Sequence, residues 1–450
     1  MYNVIIYLYL IGVAIYSRFN EKVRKMWRGE RDAFRVLREQ VDPQSRYIWF
    51  HAASLGEFEQ GRPLMEQLRR DHPDVKILLT FFSPSGYEVR KNYEGADIIC
   101  YLPLDTFRNA RRFLQLIHPE MAFFIKYEFW YNYLHILKHR HVPVYSVSSI
   151  FRPDQVFFRW YGYQYGRVLN CFTHFFVQNE QSRELLAKIG ITCVTVAGDT
   201  RFDRVLQIKE QAKQLPIVEE FVRGHVGTVA RGREDGLSAD SNLVPPHPRT
   251  PGPPVFVAGS SWPPDEDIFI RYFREHPEWK LIIAPHVIDE AHLQQIEQKL
   301  EGWQVRRYTS LNPSEGGKCL RAEDSDRPSS PLGRPGEVLL IDCFGLLSSI
   351  YHYADVAYVG GGFGVGIHNL LEAAVWDVPV FFGPNNQKFQ EAQGLKKGGG
   401  FEISSYEDFA AQMDRFASDS DYLHAEGKKA GQFVKNLAGA TDIVLSNIQL

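Results

Sequence analysis

The sequence predicts an α/β protein with two parallel-sheet domains and an apolar helix at its N-terminus. The chain has 450 residues, which is too many for one ordinary hydrophobic core. Short apolar runs alternate with helical stretches from residue 47 onwards, a pattern typical of parallel sheets with helices on both faces. A polar stretch rich in proline and glycine interrupts this alternation near its middle, so we predict two domains.

The first element is the apolar segment 1–17, which contains no charged residue, and residues 18–38 then hold eight Lys/Arg and three Asp/Glu. A secretory signal has the opposite order, with its basic residues ahead of the apolar run. Seventeen residues is close to the roughly 20 that cross a bilayer, and a basic flank stays on the cytoplasmic side. We expect residues 1–38 to be a membrane anchor that spans the bilayer or lies in it. The alternative is a buried core helix.

The first domain is predicted to cover residues 39–206 and the second residues 255–450, joined by a linker at 207–254. Their strands are expected where the chain is continuously apolar and bounded by polar residues, proline or glycine. These runs cover residues 47–53, 75–82, 96–104, 120–125, 142–149 and 174–178, then 254–261, 279–286, 337–342, 354–361 and 378–383. Residues 312–336 look like an insert. Ligands of such sheets bind at the carboxyl ends of the strands, so we expect the two domains to face each other across a cleft.

Composition narrows the possible functions. The net charge is −3, which gives no overall attraction to nucleic acid. The five cysteines lie far apart and form no CxxC pair, so we expect neither a metal site nor a disulfide framework. No HExxH, GxSxG or P-loop motif is present in the sequence.

Two loops that follow predicted strands carry candidate chemistry. Ser54 and Glu57 have the spacing of a helix capping box, and from spacing alone a capping role for Glu57 is favoured over a catalytic one. The functional alternative is that Glu57, at the end of a strand, takes a proton from an attacking hydroxyl. The second loop is the glycine-rich turn of residues 359–384, which leads into a helix predicted at His368–Val375. Such turns can bind phosphate through backbone N–H groups, but they are also common packing devices.

Three further polar residues are weaker candidates. Glu372 lies three residues after Asn369, so both side chains can point from one helix face, although a solvated glutamate is equally consistent with that spacing. His286 ends a strand and Arg201 follows one, where each could meet a phosphate or be an ordinary loop residue.

Together these segments resemble the 3-deoxy-D-manno-octulosonic acid (Kdo) transferase family. The segments that carry the resemblance are HAASLGE (51–57), LLTFFSPSGYE (78–88), YLPLD (101–105), IKYEFWYN (125–132), QNEQSRELLAKIG (178–190), GDTRFD (198–203), VAGSSW (257–262), IIAPH (282–286) and GGGFGVGIHNLLEAAVWDVPVFFGP (360–384). The resemblance implies a GT-B fold, in which two Rossmann-like domains face each other across the active site. It also implies transfer of Kdo from CMP-Kdo to a lipid A precursor, at the cytoplasmic side of the inner membrane.

The resemblance also implies roles for individual residues. Glu57 would be the general base of an inverting single displacement, and Glu128 a second acid near the reaction centre. Arg201 falls where the family usually has lysine. The positions expected around CMP are Pro285, His286, Phe344, Gly345, Leu346, Asn369, Leu370, Leu371 and Glu372. His286 stands in place of an expected arginine, and residues 344–346 lack an expected acid.

Three other functions remain open at this point. One is a GT-B enzyme that uses a UDP-sugar on another lipid acceptor, and a second is a nucleotide-sugar epimerase of the same fold. The third is a non-catalytic nucleotide-binding module, which substitution of Glu57 would leave unaffected.

Overall fold

The structure is a computed structural model that describes residues 2–223, 253–312, 336–364 and 366–448, apart from the side chains at 163 and 164. The two expected inserts, 225–254 and 312–336, lie outside the described residues except at their ends. The chain forms two compact units, Met1–Arg204 with Leu437–Leu450, and Val205–Asn436.

The first unit is built on a seven-stranded sheet in which every described pairing is parallel. Its strands are β1 (Tyr47–Ala52), β2 (Lys76–Phe81), β3 (Ile98–Tyr101), β4 (Met121–Ile125), β5 (Val144–Ser149), β6 (His174–Val177) and β7 (Val194–Val196). Its helices are α1 (Tyr2–Tyr16), α2 (Glu21–Gln40), α3 (Leu55–Asp71), α4 (Pro84–Arg90), α5 (Phe107–Ile117), α6 (Tyr131–His139), α7 (Tyr163–Gly166), α8 (Glu180–Lys188) and, at the C-terminus, α19 (Ala440–Ser446). The strand order is β3-β2-β1-β4-β5-β6-β7. The six strands predicted for this domain are confirmed.

Both faces of this sheet are buried, which explains why its strands are continuously apolar. Successive side chains of β1 alternate between the two faces. Tyr47 and Trp49 enter one core with residues of α2, α5 and α6. Ile48 and Phe50 enter the other core with residues of α3 and with Val444 of α19.

The second unit has its own seven-stranded parallel sheet, in the order β10-β11-β9-β8-β12-β13-β14. Its strands are β8 (Val255–Ser261), β9 (Lys280–Pro285), β10 (Gln304–Arg307), β11 (Glu337–Leu340), β12 (Val356–Val359), β13 (Val380–Phe382) and β14 (Gly400–Glu402). Its helices are α9 (Arg201–Glu210, which begins in the first unit), α10 (Pro216–Arg223), α11 (Pro263–Glu275), α12 (Glu290–Lys299), α13 (Tyr308–Leu311), α14 (Leu347–Ile350), α15 (Leu371–Ala374), α16 (Gln390–Leu395), α17 (Tyr406–Ser418) and α18 (Ser420–Leu437, which ends in the first unit). The five strands predicted for this domain are confirmed. One core face packs β8 and β9 against aromatic residues of α11 and α17.

The C-terminal segment differs from the predicted domain boundary. Residues 437–450 belong to the first unit, although the sequence places them in a second domain covering 255–450. Asp203 holds this segment, since its carboxylate accepts hydrogen bonds from the N–H groups of Gly439 and Thr441 and from the Thr441 hydroxyl. Val444 is fully buried in the core beneath α3. The linker predicted at 207–254 likewise includes the helix α10 and the last four residues of α9.

The apolar N-terminal segment forms α1, whose first turn is fixed to the body of the unit. The Tyr2 hydroxyl donates to Asp105 Oδ2 at 2.7 Å, and Asn132 Nδ2 donates to Asn3 Oδ1 at 2.8 Å. Much of the rest of α1 is apolar and solvent-exposed, with Ile5 at 56% and Leu8 at 64% exposure. Among the helices of the described residues, none has the length and apolar character needed to cross a membrane. The membrane attachment of residues 1–38 therefore stays a prediction.

Candidate functional site

The topology of each sheet marks one place where a ligand is expected. In the first sheet the strands that follow β1 in the chain are added first on one side of it and then, from β4 onwards, on the other. In the second sheet the same reversal of strand order occurs between β8 and β12. Open α/β sheets bind ligands outside the carboxyl ends of the strands at such a reversal. The loop carrying Glu57 follows β1 and the segment carrying Glu128 follows β4. The glycine-rich turn follows β12, and Trp262 follows β8.

Glu57 is held by the start of α3. Its Oε2 accepts hydrogen bonds from the backbone N–H of Ser54 at 2.9 Å and from the Ser54 hydroxyl at 3.1 Å. The capping box favoured by the spacing is therefore present. Its Oε1 accepts no hydrogen bond from the described residues, so one oxygen of the carboxylate stays available. Burial and the charge of Glu128 raise the pKa of Glu57. The hydrogen bond from the Ser54 side chain lowers it, but the net effect is a pKa above the usual value.

Glu128 is close enough to Glu57 for its charge to raise the pKa of Glu57, and it is held by two aromatic side chains. Trp130 Nε1 donates to Glu128 Oε2 at 2.7 Å, and His51 Nε2 lies 3.2 Å from the same oxygen. The Glu128 side chain is 13% exposed and His51 is fully buried. The two carboxylates that the sequence singled out, 71 positions apart, are therefore brought together at the carboxyl edge of one sheet.

A buried polar chain behind Glu128 was not predicted. Thr80 Oγ1 accepts from Trp49 Nε1 at 2.8 Å and lies 2.9 Å from His51 Nδ1. The Thr80 hydroxyl donates to the carbonyl oxygen of Phe50 at 3.3 Å, and Trp130 Nε1 also donates to His51 Nε2 at 3.0 Å. The signal in the sequence was a histidine inside an otherwise apolar buried strand, because a buried polar group needs partners.

Arg201 is engaged by a carboxylate two residues before it. Its Nε and Nη2 lie 2.9 and 2.8 Å from Asp199 Oδ2, and its backbone N–H donates to Asp199 Oδ1 at 2.9 Å. Burial raises the pKa of Asp199, but the Arg201 charge and hydrogen bonds outweigh it and hold that pKa below its usual range. Gln60 and Gln178 also donate to this carboxylate. Arg201 thus helps to organise a buried polar cluster, and a direct role in catalysis stays a prediction.

The glycine-rich turn of the second unit closes on the loop after β8. A Cβ atom at Gly360 would lie 2.2 Å from the carbonyl oxygen of Ser260, and Gly361 has a φ of +94°, so both positions favour glycine. Asp265 Oδ2 accepts from the N–H groups of Trp262 and Gly361 at 2.9 and 3.0 Å. The carboxylate of Asp265 therefore ties the two loops together at the β8/β12 reversal.

Three rings stack beside this turn. The centroid of His286, the residue after β9, lies 4.9 Å from that of Trp262 and 4.2 Å from that of His368. Trp262 Nε1 donates to His368 Nε2 at 3.2 Å. Burial and His286 lower the pKa of His368 to about 4, and burial lowers the pKa of His286, so this stack is uncharged at neutral pH. The sequence singled out His286 but not its two partners.

The helix expected at His368–Val375 is shorter in the structure. Helix α15 covers Leu371–Ala374, and residues 367–369 precede it without helical structure. A single turn has a smaller dipole than a full helix, so a phosphate beside its N-terminus gains less stabilisation. Asn369 and Glu372 nevertheless lie together as predicted, because Asn369 Nδ2 donates to Glu372 Oε1 at 2.9 Å.

The other expected nucleotide contacts fall into two groups. Leu370 and Leu371 are fully buried and Leu346 is 4% exposed, so their side chains belong to the core. A ligand would meet their backbone. Phe344 is 74% exposed and Gly345 has a φ of +90°, which leaves an aromatic ring on a tight turn at the surface. Pro285 is the last residue of β9. Within the described residues, no group of three or more His, Cys, Asp or Glu could hold a metal ion.

Comparison with known proteins shows which families this chain is similar to. Residues 25–204 match the family model described as 3-deoxy-D-manno-octulosonic-acid transferase (kdotransferase). The 3-deoxy-D-manno-octulosonic acid transferase of Aquifex aeolicus is 25% identical over 390 residues, which is 85% of this chain and 89% of that protein. The resemblance to the Kdo transferase family that the sequence motifs indicate is therefore confirmed. The Haemophilus influenzae member is 23% identical and matches 78% of this chain and 73% of its own length.

Solved structures show the same fold at low sequence identity. The UDP-GlcNAc 2-epimerase of Neisseria meningitidis matches with a TM-score of 0.57 and 12% identity, over 89% of this chain and 98% of that one. MurG of Acinetobacter baumannii matches with a TM-score of 0.51 and 12% identity, over 90% and 99%. The expected α/β architecture with two parallel sheets is therefore confirmed, and its matches include GT-B-like proteins. The expected glycosyltransferase activity is borne out by the similarity to Kdo transferases.

Proposed function

We propose that the protein transfers Kdo from CMP-Kdo to a hydroxyl group of a lipid A precursor, with Glu57 as the general base. The observation that carries this proposal is the half-buried Glu57 carboxylate, which has one oxygen open and Glu128 beside it, in a chain that resembles the Kdo transferase family. A catalytic base works best when its pKa approaches the working pH, and burial next to a second acid moves Glu57 in that direction.

The proposed reaction is a single displacement. The acceptor oxygen attacks the anomeric carbon of Kdo while Glu57 Oε1 takes the hydroxyl proton, and the bond from that carbon to the CMP phosphate oxygen breaks. CMP leaves as a phosphate anion with the bonding electron pair, and the anomeric centre is inverted. Each turnover protonates Glu57 once, and the proton then passes to solvent. The bonds from Ser54 leave Oε1 as the oxygen that can serve.

The donor nucleotide is proposed to bind at the β8/β12 reversal of the second sheet. The backbone N–H groups of a glycine-rich turn suit a phosphate, and the Asn369–Glu372 pair offers a polar edge for a ribose or base. The neutral stack of Trp262, His286 and His368 offers aromatic surface. The family resemblance predicts an arginine at the position of His286. In the proposed arrangement the nucleotide is bound without that arginine.

The acceptor is proposed to be a lipid because of the surface around α1. A groove of about 1170 Å³ is lined by residues of α1, α6 and the segment 156–171. Its described lining includes His135, Lys138 and Arg167 and no Asp or Glu, so it suits a phosphate group. Ile5 of the exposed apolar α1 lies at its edge. We further propose that α1 and the basic residues of α2 hold the protein on the cytoplasmic face of the inner membrane.

The test is incubation of the purified protein with CMP-Kdo and lipid IVA, followed by mass spectrometry of the product. The proposal predicts a mass gain of one or more Kdo units, and UDP-sugars should give none. Glu57→Gln is expected to lower the rate roughly a hundredfold to ten-thousandfold, because it removes the base and keeps the side-chain shape.

The matched control is Glu94→Gln, an exposed glutamate of the same unit, which should keep the wild-type rate. CMP binding should persist in Glu57→Gln. If no Kdo is added by the wild-type protein, or if Glu57→Gln transfers Kdo at the wild-type rate, the proposed function or the proposed base is wrong.

A further inference from the structure

Lys126 has an unusual backbone conformation for its residue type. It is the first residue after β4 and has a φ of +67°. Left-handed backbone is uncommon in residues other than glycine and asparagine. His118 shares this conformation, but it caps the C-terminus of α5, where the left-handed region is ordinary. Lys126 follows a strand, so no helix cap explains its conformation, which Ser148 in β5 and Ser260 in β8 share.

The neighbouring strand β5 holds Lys126 in this conformation. The Lys126 N–H donates to the carbonyl oxygen of Val147 at 2.8 Å, and its own carbonyl oxygen accepts from the Ser149 hydroxyl at 3.0 Å. The register of β5 shifts between these two residues, at Ser148. Glycine would satisfy both backbone bonds without strain, so the lysine side chain is kept at a site where glycine is the more stable choice.

The Lys126 side chain follows the carboxyl end of β4, two residues before Glu128, and its Nζ lies 5.6 Å from the centroid of the Tyr127 ring. It is half-buried, and its charge is close enough to Glu57 to lower the pKa of that carboxyl group, against burial and Glu128, which raise it. Within the described residues, its ammonium group has no hydrogen bond to a carboxylate or carbonyl oxygen. Arg201 and Arg204 of the same unit are instead engaged by Asp199 and Glu59.

We propose that Lys126 binds the carboxylate of the transferred sugar and so makes the enzyme specific for an acidic sugar. This inference rests on the proposed function. In a 2-ulosonic acid such as Kdo the carboxylate is attached directly to the anomeric carbon, the atom that the acceptor oxygen attacks. A base that reaches the attacking hydroxyl is therefore only a few ångströms from that carboxylate. A cation beside Glu57 is well placed to pair with it through a charge-assisted hydrogen bond.

The experiment compares two donors in two proteins. The donors are CMP-Kdo and an analogue whose sugar carboxylate is a carboxamide, and the proteins are wild type and Lys126→Met. The wild type should prefer the acid in kcat/KM, and Lys126→Met should lose roughly tenfold to a hundredfold of that preference. Lys188→Met, an exposed lysine of α8, should keep the wild-type preference. Binding of both donors to Glu57→Gln, with and without Lys126→Met, gives the same comparison without turnover.

The stability of two further variants tests whether Lys126 is retained for function. Lys126→Gly should unfold at a higher urea concentration than Lys126→Ala, because glycine relieves the left-handed strain, and both should lose the preference for the acid. If Lys126→Met transfers Kdo and keeps the wild-type preference, the inference is wrong and the proposed function stands. A wild-type protein that adds no Kdo overturns both.

Discussion

Glu30 offers a quantitative test of the packing between α2 and the first sheet. It is 5% exposed on the inner side of α2, and its Oε1 has no hydrogen-bond partner among the described residues. Burial raises the pKa of this carboxyl group from 4.5 to about 8, although a backbone hydrogen bond from Leu104 lowers it in part. The folded protein therefore keeps Glu30 protonated at neutral pH, whereas the unfolded chain ionises it.

The sign and size of the effect follow from proton linkage. The folded state binds the proton more tightly, so the stability is fully present below the unfolded pKa of 4.5 and is lost as pH rises towards about 8. At pH 7 the loss is about 3 kcal/mol, since each pH unit between the two pKa values is worth about 1.4 kcal/mol. Glu30→Gln removes this dependence of stability on pH. Its buried amide group, however, lacks a hydrogen-bond partner, which offsets part of the gain. We expect the variant to be more stable than wild type by about 2 kcal/mol at pH 7.

The assay is urea unfolding followed by tryptophan fluorescence at pH 5 and pH 7, for wild type, Glu30→Gln and the control Glu39→Gln. Glu39 lies on the same helix but is exposed, so its variant should follow wild type at both pH values. The gap between Glu30→Gln and wild type should widen by about 2 kcal/mol from pH 5 to pH 7. A gap that stays constant with pH would refute the assignment of a protonated buried carboxyl group.

Two further predictions concern the neighbours of the proposed base. Ser54→Ala removes the hydroxyl bond to Glu57 and so raises the pKa of that carboxyl group, and the acid limb of the pH–rate profile should move to higher pH. The same change removes the hydrogen bond between the Ser54 hydroxyl and Glu57 and should lower the free energy of unfolding by about 1 kcal/mol. His51→Asn loses the contact to Glu128 and should lower kcat by roughly tenfold with little change in donor KM, whereas His51→Gln, which can still donate to Glu128, should recover most of that rate. Equal kcat values for Asn and Gln would argue against a positioning role.

The strands that were predicted and the strands that were missed differ in burial. The eleven predicted strands are continuously apolar because helices cover both faces of each sheet. Those that were missed are β7, β10 and β14, of three or four residues each, which the strand orders place at or beside the sheet edges. Their residues include charged and half-exposed side chains, as in Gln304–Arg307. These three edge strands have one neighbour each and little core to fill, so periodicity does not reveal them, whereas the edge strand β3 is apolar and was predicted.

Interactions in the site were predictable where the two partners lie close together in the sequence. They were not predictable where the partners come from distant segments of the chain. The Ser54–Glu57 box is local, so its spacing was sufficient. His51 is a partner of Glu128, which lies 77 positions further along the chain, and the parallel pairing of β1 and β4 is what brings them together. Arg201 shows the opposite case, because Asp199 is near in sequence but the bond between them appears only once the loop is folded.

The capping role and the catalytic role of Glu57 are compatible because they involve different carboxylate oxygens. Oε2 takes both bonds from Ser54 and completes the cap of α3, which fixes the side chain at the carboxyl edge of β1. Oε1 remains open, and burial together with the charges of Glu128 and Lys126 sets how readily the carboxylate accepts a proton. A freely rotating glutamate would have to be ordered in every turnover, whereas the cap orders this one during folding. The structural role that spacing favours therefore supplies the rigidity that the proposed catalytic role needs, and Ser54→Ala should weaken both together.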